Sequence, residues 1–483
     1  MYYTSSQELS IYRSLAGQLQ LGFFQEGERF PSVMEIATYF QVSYCPAQRA
    51  LKALERDGLI KLCRGKETVV LARPHENYLE SSTFQKRMSA LKDLSKALEL
   101  LSPSICLQGI GAMDKEDLSD HLAYEHQGKR LYHLFDQALR ALGNQTVLNL
   151  YYDIGAFLES AFLDILAKEK SEIAYKTFLE SITESIFDVI EDCKQSCHDA
   201  AKKKLNDLKS LFFHDITEYF NQLQIETPCE EEQENFFWEP LKGRKKYCDL
   251  IAIDLVCKIN EGRYPVGSQL PNKATLAKTY HVSEITIRRT IDLLNKSGIT
   301  KTFNGIGTKV QSAGNLSVLD EFKDLMIDEH LKTFLESLQF LAFTSEAVLG
   351  YTLPYCSEKS LESLAHALEN GAGNFSAVIT IHSVCLQIIA CECPIAAIRE
   401  IYQKITILLL NGSILRFGEE QQISQGDIMF QKLSQSFNAG DYQRFAKAFS
   451  QMTSQTFTEM KERLKKAGID EVDYIADLIV SER

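Results

Sequence analysis

The sequence predicts a mainly α fold written twice in one chain. Each half is a small unit of three helices plus a β-wing, followed by an all-α helical domain. Three observations predict it. The stretch "GRYPVGSQLPNKATLAKTYHVSEITIRRTIDLL" from Gly262 recurs in fainter form from Gly22 as "GFFQEGERFPSVMEIATYFQVSYCPAQRALKAL". A long segment with helical apolar spacing and few breakers follows each copy. Positive charge gathers in the copies, in a chain of formal charge -13.

The two copies align without gaps at an offset of 240 residues. Gly22, Gly27, Pro31, Ala37, Val42, Ser43, Arg49, Leu54, Gly58 and Thr68 reappear as Gly262, Gly267, Pro271, Ala277, Val282, Ser283, Arg289, Leu294, Gly298 and Thr308. So long a period is a duplication and not a repeat array.

The second copy shows the elements in order. Ile251, Leu255 and Ile259 step at helical spacing, and Gly262 ends that helix. Tyr264-Pro265-Val266-Gly267 is a turn. Pro271 leads a short helix carrying Leu276 and Ala277, and His281-Val282 turns the chain. Ser283 is a good N-cap for the next helix, whose apolar face is Ile287, Ile291 and Leu294 and whose stop is Gly298. Extended pieces around Thr300–Phe303 and Thr308–Val310 flank Asn304-Gly305-Ile306-Gly307, a hairpin signal. Three helices and a two-stranded ribbon of this size make a winged helix-turn-helix.

The helical segments include "ESITESIFDVIEDCKQSCHDAAKKKLNDLKSLFFHDITEYF" and "DYQRFAKAFSQMTSQTFTEMKERLKK". Between the halves, Glu226–Asn235 is a polar acidic run that reads as a solvated linker. The expected layout is module 1 over 1–75, a helical effector or dimerisation domain over 76–235, module 2 over 236–312, and a second helical domain over 313–483.

Composition narrows the function classes. The chain of 483 residues is long enough for several cores. No apolar run reaches membrane-spanning length, and the N-terminus lacks the basic flank and apolar core of a signal peptide. The 12 cysteines make neither CxxC pairs nor zinc-finger spacings, and read as reduced thiols of a cytoplasmic protein. No P-loop, GxSxG or HExxH pattern appears, so the sequence does not read as an enzyme and implies no cofactor. Residues 241–312 hold 13 Lys/Arg against 5 Asp/Glu, and residues 1–75 hold 9 against 7. Small basic modules that touch a polyanion, while acidic modules stay clear of it, fit double-stranded DNA as partner.

A helix-turn-helix places its second helix in the major groove. In module 2 that helix starts at Ser283, and Glu284, Thr286, Arg288 and Arg289 sit near its N-terminus, away from Ile287 and Ile291. Arginine can bond a guanine edge through two hydrogen bonds. Lys273, at the start of the preceding helix, suits a backbone phosphate. Lys301, Asn304 and Lys309 flank the wing, and Gly305 and Gly307 let its tip approach a groove. Module 1 has lost charge on this face. Tyr44, Pro46 and Gln48 stand where module 2 has Glu284, Thr286 and Arg288. Ser32, Ser43, Gln48, Arg49, Lys61, Arg64 and Lys66 remain as candidates, while Glu67 replaces the second wing glycine and would repel phosphate. A protein-interaction role with degenerate winged helices is the competing reading.

The pattern Gly-x-x-x-x-Gly-x-x-Leu-Pro, then Leu-Ala-x-x-x-x-Val-Ser-x-x-Thr-Ile-Arg, then Gly-x-Gly-Thr-x-Val resembles the DNA-binding domain of the GntR family of bacterial transcription regulators. Here it comprises Gly262, Gly267, Leu270, Pro271, Leu276, Ala277, Val282, Ser283, Thr286, Ile287, Arg288, Gly305, Gly307, Thr308 and Val310. The resemblance implies a regulator responsive to a small-molecule effector, usually a homodimer on a palindromic operator. This sequence departs from the family where arginines are common: Ala274 and Met34 after the Leu-Pro region, Glu284 and Tyr44 after Val-Ser. Two modules in one chain imply a pseudo-dimer with unequal reading heads, and leave open whether two chains also pair.

Ala138–Asn144 and Asn438–Phe449 are faintly similar to helices of the family's FCD or FadR-type effector domains. Metal-binding members carry Asp and His there; Leu131 and Phe135 stand here instead, so no metal site is implied. His121, His126 and His133 are not spaced to stack on one helix face. Tyr151, Tyr152, Phe157 and Phe162, or Cys385, Ile388, Ile389 and Cys391, either line an apolar effector pocket or form ordinary core.

Overall fold

The computed structural model describes residues 7–20, 22–62, 67–71, 78–113, 127–223, 233–240, 247–260, 263–296, 299–303, 305–311, 327–369, 375–409, 426–466 and 468–479. The chain divides into two compact units. One comprises Met1–Gly243 with Ile395–Glu400 and Ile479–Arg483; the other comprises Arg244–Pro394 with Ile401–Leu478.

Module 1 runs α1 (Gln7–Gln20), β1 (Arg29–Phe30), α2 (Val33–Tyr39), α3 (Tyr44–Arg56), β2 (Ile60–Lys61) and β3 (Thr68–Val70). The strands form one antiparallel sheet in the order β1-β3-β2. Ser32 caps α2 in a capping box with Glu35, which satisfies two backbone donors at the helix start. Pro46 falls in the first turn of α3, where its missing N–H costs nothing. Ile11, Leu15, Ile36, Ala47, Leu51, Leu54 and Val70 are buried together as a small core.

Past this module come α4 (Ser82–Gly111), α5 (Gln127–Ala141), α6 (Gln145–Leu158), α7 (Ala161–Glu169), α8 (Glu172–Lys194) and α9 (His198–Gln222). Helix α4 contains Pro103. At the end of the acidic run Glu234 stays exposed and holds an ion pair with the helical segment. Glu234 accepts from Arg87 Nε at 2.8 Å, and the following Phe236 and Trp238 are buried. The reason is burial: Arg87, only 2% exposed, needs carboxylates, and Glu159 supplies the other at 2.8 Å. Residues 226–232 lie outside the described residues.

Module 2 repeats the plan with α10 (Tyr247–Asn260), α11 (Lys273–Thr279), α12 (Glu284–Lys296), β4 (Thr300–Phe303) and β5 (Gly307–Val310). Its three helices keep the 240-residue offset at both ends. The register keeps it too: Arg29 pairs Val69 in module 1, and Gln269 bridges Lys309 in module 2. Gly27 and Gly267 both take φ near +80° (77° and 82°) and donate to Val70 and Val310. Only glycine adopts that turn without strain. Gly262, Gly298 and Asn304 lie outside the described residues.

The second helical segment has α13 (Ile327–Thr352), α14 (Glu358–Glu369), α15 (Phe375–Glu392), α16 (Ala396–Leu409), α17 (Gly426–Asn438) and α18 (Tyr442–Lys466). Leu331, Leu335 and Leu338 of α13 and Phe457, Met460 and Leu464 of α18 join Ile251, Leu255, Ile287 and Ile291 in one apolar cluster. Module 2 therefore shares a core with its own helical segment. No helix among the described residues is long and apolar enough to cross a membrane.

Candidate nucleic-acid interface

In module 2 most of the expected residues that the structure describes are exposed. Lys273 is the first residue of α11 and is exposed. Asn272 caps that helix, accepting from the Thr275 backbone at 2.8 Å. Ser283 Oγ accepts from the Thr286 backbone at 3.3 Å, and the two hydroxyls lie 3.0 Å apart. The cap starts α12 so that Ile287 and Ile291 point into the core while Arg288 and Arg289 stay exposed. Among the described residues, Lys273, Arg288 and Arg289 close no ion pair.

The wing adds two more cations. Lys301 and Lys309 are direct cross-strand partners, so their side chains leave the same face of the ribbon. Like charges held opposite each other are unfavourable unless an anion lies between them. Lys301 is exposed and Lys309 half-buried. Gly305 and Gly307 form the tip; Gly307 sits at φ +124°, where a side chain is strained, and a Cβ there would also displace the end of the exposed Gln269 side chain. The Gln269 amide donates to the Ile306 carbonyl. Ile306, 57% exposed beside it, escaped the sequence reading, which looked only for charge and glycine at the tip.

Module 1 has the same frame with two of its arginines occupied. Arg29 Nη2 donates to both Glu35 oxygens, at 2.8 and 3.0 Å, and its Nε lies 3.4 Å from Glu67. The Ser32 backbone and hydroxyl, with Arg29, push the Glu35 carboxyl down to about 2. Arg49 Nε lies 3.7 Å from Glu8 of α1, at a place where module 2 has Cys248. Ser43 makes no side-chain cap, Gln48 is half-buried and Lys61 is exposed on β2 opposite Val69. Arg64 and Lys66 lie outside the described residues. Met34 and Tyr44 add exposed apolar surface on this side, at 63% and 47%.

Module 1 is also gripped from behind. Arg140 of α5 donates to Asp136 at 2.8 Å and to the Tyr39 carbonyl at the end of α2, again at 2.8 Å. It also bonds the Tyr152 hydroxyl, which donates onward to Asp136 at 2.9 Å. Its guanidinium lies 4.4 Å from the Tyr39 ring centre, and Tyr39 stacks on Tyr152. Burial, then the Asp136 charge, raises the Tyr152 phenol above its ordinary range.

Of the residues weighed for an effector pocket, Tyr151, Tyr152 and Phe162 line a cavity of about 360 Å³ among α4–α9. Phe157 instead packs under Arg87, whose guanidinium is 4.9 Å from its ring centre. Cys385, Ile388 and Ile389 are buried core and Cys391 is exposed. Among the described residues no group of three His, Cys, Asp or Glu could hold a metal ion. His121 and His126 lie outside them.

The family model "Bacterial regulatory proteins, gntR family" matches residues 7–70 and again 250–310. The HTH-type transcriptional repressor NanR of Enterobacter sp. (strain 638) is 25% identical over 158 residues, 32% of this chain and 60% of that one. NanR of Shigella sonnei (strain Ss046) is 22% identical over 129 residues, 26% of this chain and 49% of that one. The chain thus spans about half to three fifths of the length of these curated relatives. Among solved structures, a Streptococcus agalactiae GntR is 17% identical with a TM-score of 0.18, covering 44% of this chain and 99% of that one. A GntR family member from Pseudomonas syringae pv. tomato str. DC3000 is 16% identical with a TM-score of 0.17, covering 46% and 88%. Both winged helix-turn-helix modules match the same family model, so the chain carries two modules of the gntR family of bacterial regulatory proteins in tandem.

Proposed function

We propose that this chain is a sequence-specific transcription regulator of double-stranded DNA in which module 2 is the principal reading head. The observation that supports this most is a set of exposed cations that meet no acidic partner among the described residues, Lys273, Arg288 and Arg289, with Lys301 set opposite the half-buried Lys309. Such a surface is unfavourable alone and is relieved by phosphate. Arg288 and Arg289, near the start of α12, read base edges; Lys273, Lys301 and Lys309 hold the backbone. Module 1, with Arg29 and Arg49 engaged by its own carboxylates, contributes a weaker second contact. The two modules act as a pseudo-dimer on an asymmetric site, and a small molecule bound in a helical domain modulates them. The relatives named as repressors favour repression as the outcome.

Fluorescence anisotropy across a salt series tests this. The probe is DNA from upstream of the protein's own coding region, with a shuffled control. If Lys273, Lys301 and Lys309 each neutralise one phosphate, log affinity falls against log salt with a slope of about -3. Arg288→Ala removes the preference over the shuffled control, and Arg49→Ala weakens binding less. Protein interaction through degenerate modules is favoured by one observation, the exposed Met34 and Tyr44 of module 1. It takes the lead if neither upstream DNA nor DNA selected from a random pool binds in a salt-sensitive way.

A further inference from the structure

We propose that the cavity in the first unit is a binding site for a neutral, predominantly apolar small molecule, and that its occupancy acts on module 1 through α1. The inference deepens the effector reading above and rests on it only for the regulatory consequence. A volume of about 360 Å³ lies in the range of small-molecule sites.

The space is held open by residues that a helix does not favour. Gly155 lies within α6 and lines the cavity, and a Cβ built on it meets nothing within 4 Å. Glycine weakens a helix interior, so a side chain at this exposed position would strengthen α6 and has open space to extend across the cavity that Gly155 lines. Pro103 lines the same cavity from inside α4, where it removes a helical hydrogen bond. The wall between them is apolar, with Leu131, Phe135 and Phe212.

The polar groups define the ligand class. Asp136 and Glu159 reach the cavity, but each already faces an arginine, Arg140 and Arg87, at 2.8 Å. Lys209, the remaining charged group on the wall, is only half-buried. An ionic ligand would therefore enter without a free buried counter-charge, which is costly. The Tyr151 hydroxyl is different. The residue is 7% exposed, and Ser102 is the near neighbour of its hydroxyl, which closes no hydrogen bond of full geometry among the described residues. One uncharged polar group on an apolar body matches that surface.

The link to module 1 is direct. Ser14, Gly17 and Gln18 of α1 belong to the cavity wall. A Cβ at Gly17 would lie 3.3 Å from the Glu159 Cα, so α1 sits close on the end of α6. Gln18 also donates to the Tyr132 hydroxyl at 3.2 Å. An occupant of the cavity thus touches the first helix of the module.

The test uses the full chain and two fluorescent probes that share one skeleton: neutral N-phenyl-1-naphthylamine and its anionic sulfonate, 1-anilinonaphthalene-8-sulfonate. The neutral probe is expected to bind saturably at one site, about tenfold tighter than the anion. Gly155→Leu is expected to weaken it about tenfold or more without lowering the thermal midpoint, with Gly155→Ala between. Hydrogen exchange of the α1 amides is expected to slow when the probe is added. Equal binding by Gly155→Leu, tighter binding of the anion, or no saturable binding overturns the site. Unchanged exchange in α1 overturns the coupling. Probe binding needs no DNA, so the two readings fail separately. A chain that binds the probe but no DNA sinks the regulator, and one that binds DNA but no probe sinks this site.

Discussion

Arg29 and Glu67 form an ion pair at 3.4 Å where module 2 has Gln269 against Gly307. Both pairs occupy the same step of the sheet, next to the Arg29↔Val69 and Gln269↔Lys309 registers. One exchange therefore substitutes a closed charge pair for an amide that braces a bare glycine tip. It sets a carboxylate beside an exposed arginine that would otherwise be open to a polyanion.

Glu67→Gln removes a negative charge from the wing of module 1 and leaves Arg29 paired with Glu35. Glu67 is 72% exposed, so the pair contributes little to folding. The thermal midpoint should hardly move. DNA affinity measured by anisotropy should rise about two- to threefold at low salt, and less at high salt. An unchanged affinity at every salt concentration would mean that module 1 does not approach DNA.

Gly307→Ala should damage the wing of module 2. The backbone sits at φ +124° and the new Cβ meets the Gln269 amide. A strained site of this kind costs about 1–3 kcal/mol. Gly305→Asn is the control, since its φ of +75° is tolerated by asparagine and nothing crowds its Cβ. Thermal unfolding should separate the two variants; equal midpoints would refute the steric argument.

Arg140→Met leaves Asp136, 5% exposed, without its charged partner. Removing one member of a buried pair costs about 3–5 kcal/mol. Denaturant unfolding should show that loss, and adding Asp136→Asn should recover part of it. No recovery in the double variant would show that packing against Tyr39, and not the charge, carries the effect.

His382 gives the second unit a defined acid sensitivity. Its Nδ1 donates to the Val378 carbonyl at 2.8 Å, and Nε2 faces the Thr453 hydroxyl at 2.9 Å. Burial holds the ring neutral and lowers it to about 4, against the opposing effect of the Val378 carbonyl. The unfolded chain takes the proton first, near the ordinary value of about 6.5. Stability from this residue is therefore complete above about 6.5 and falls as pH drops toward 4. The unfolding midpoint should fall over that window in the intact chain, and fall less in His382→Gln.

The modules were legible because their apolar positions follow helical spacing. Ile251, Leu255 and Ile287 announce their own burial, and the offset then places Ile11, Leu15 and Ala47. The closed cations of module 1 were not legible. Arg29 meets Glu67 only after β1 and β3 pair, and Arg49 meets Glu8 only after α1 packs on α3. The cavity was hidden for another reason. Tyr151 and Phe162 have the same spacing whether they close a full core or line an empty one; the difference lies in what Gly155 omits.

The covalent duplication also changes how such a protein varies. In a symmetric pair of identical chains, every substitution is mirrored in both subunits. A gain on one half-site is tied to the same change on the other. Here Glu8 and Cys248, or Glu67 and Gly307, are separate codons in one gene. Each head is free to be tuned, silenced or restored alone, and no change in protein concentration can separate one from the other.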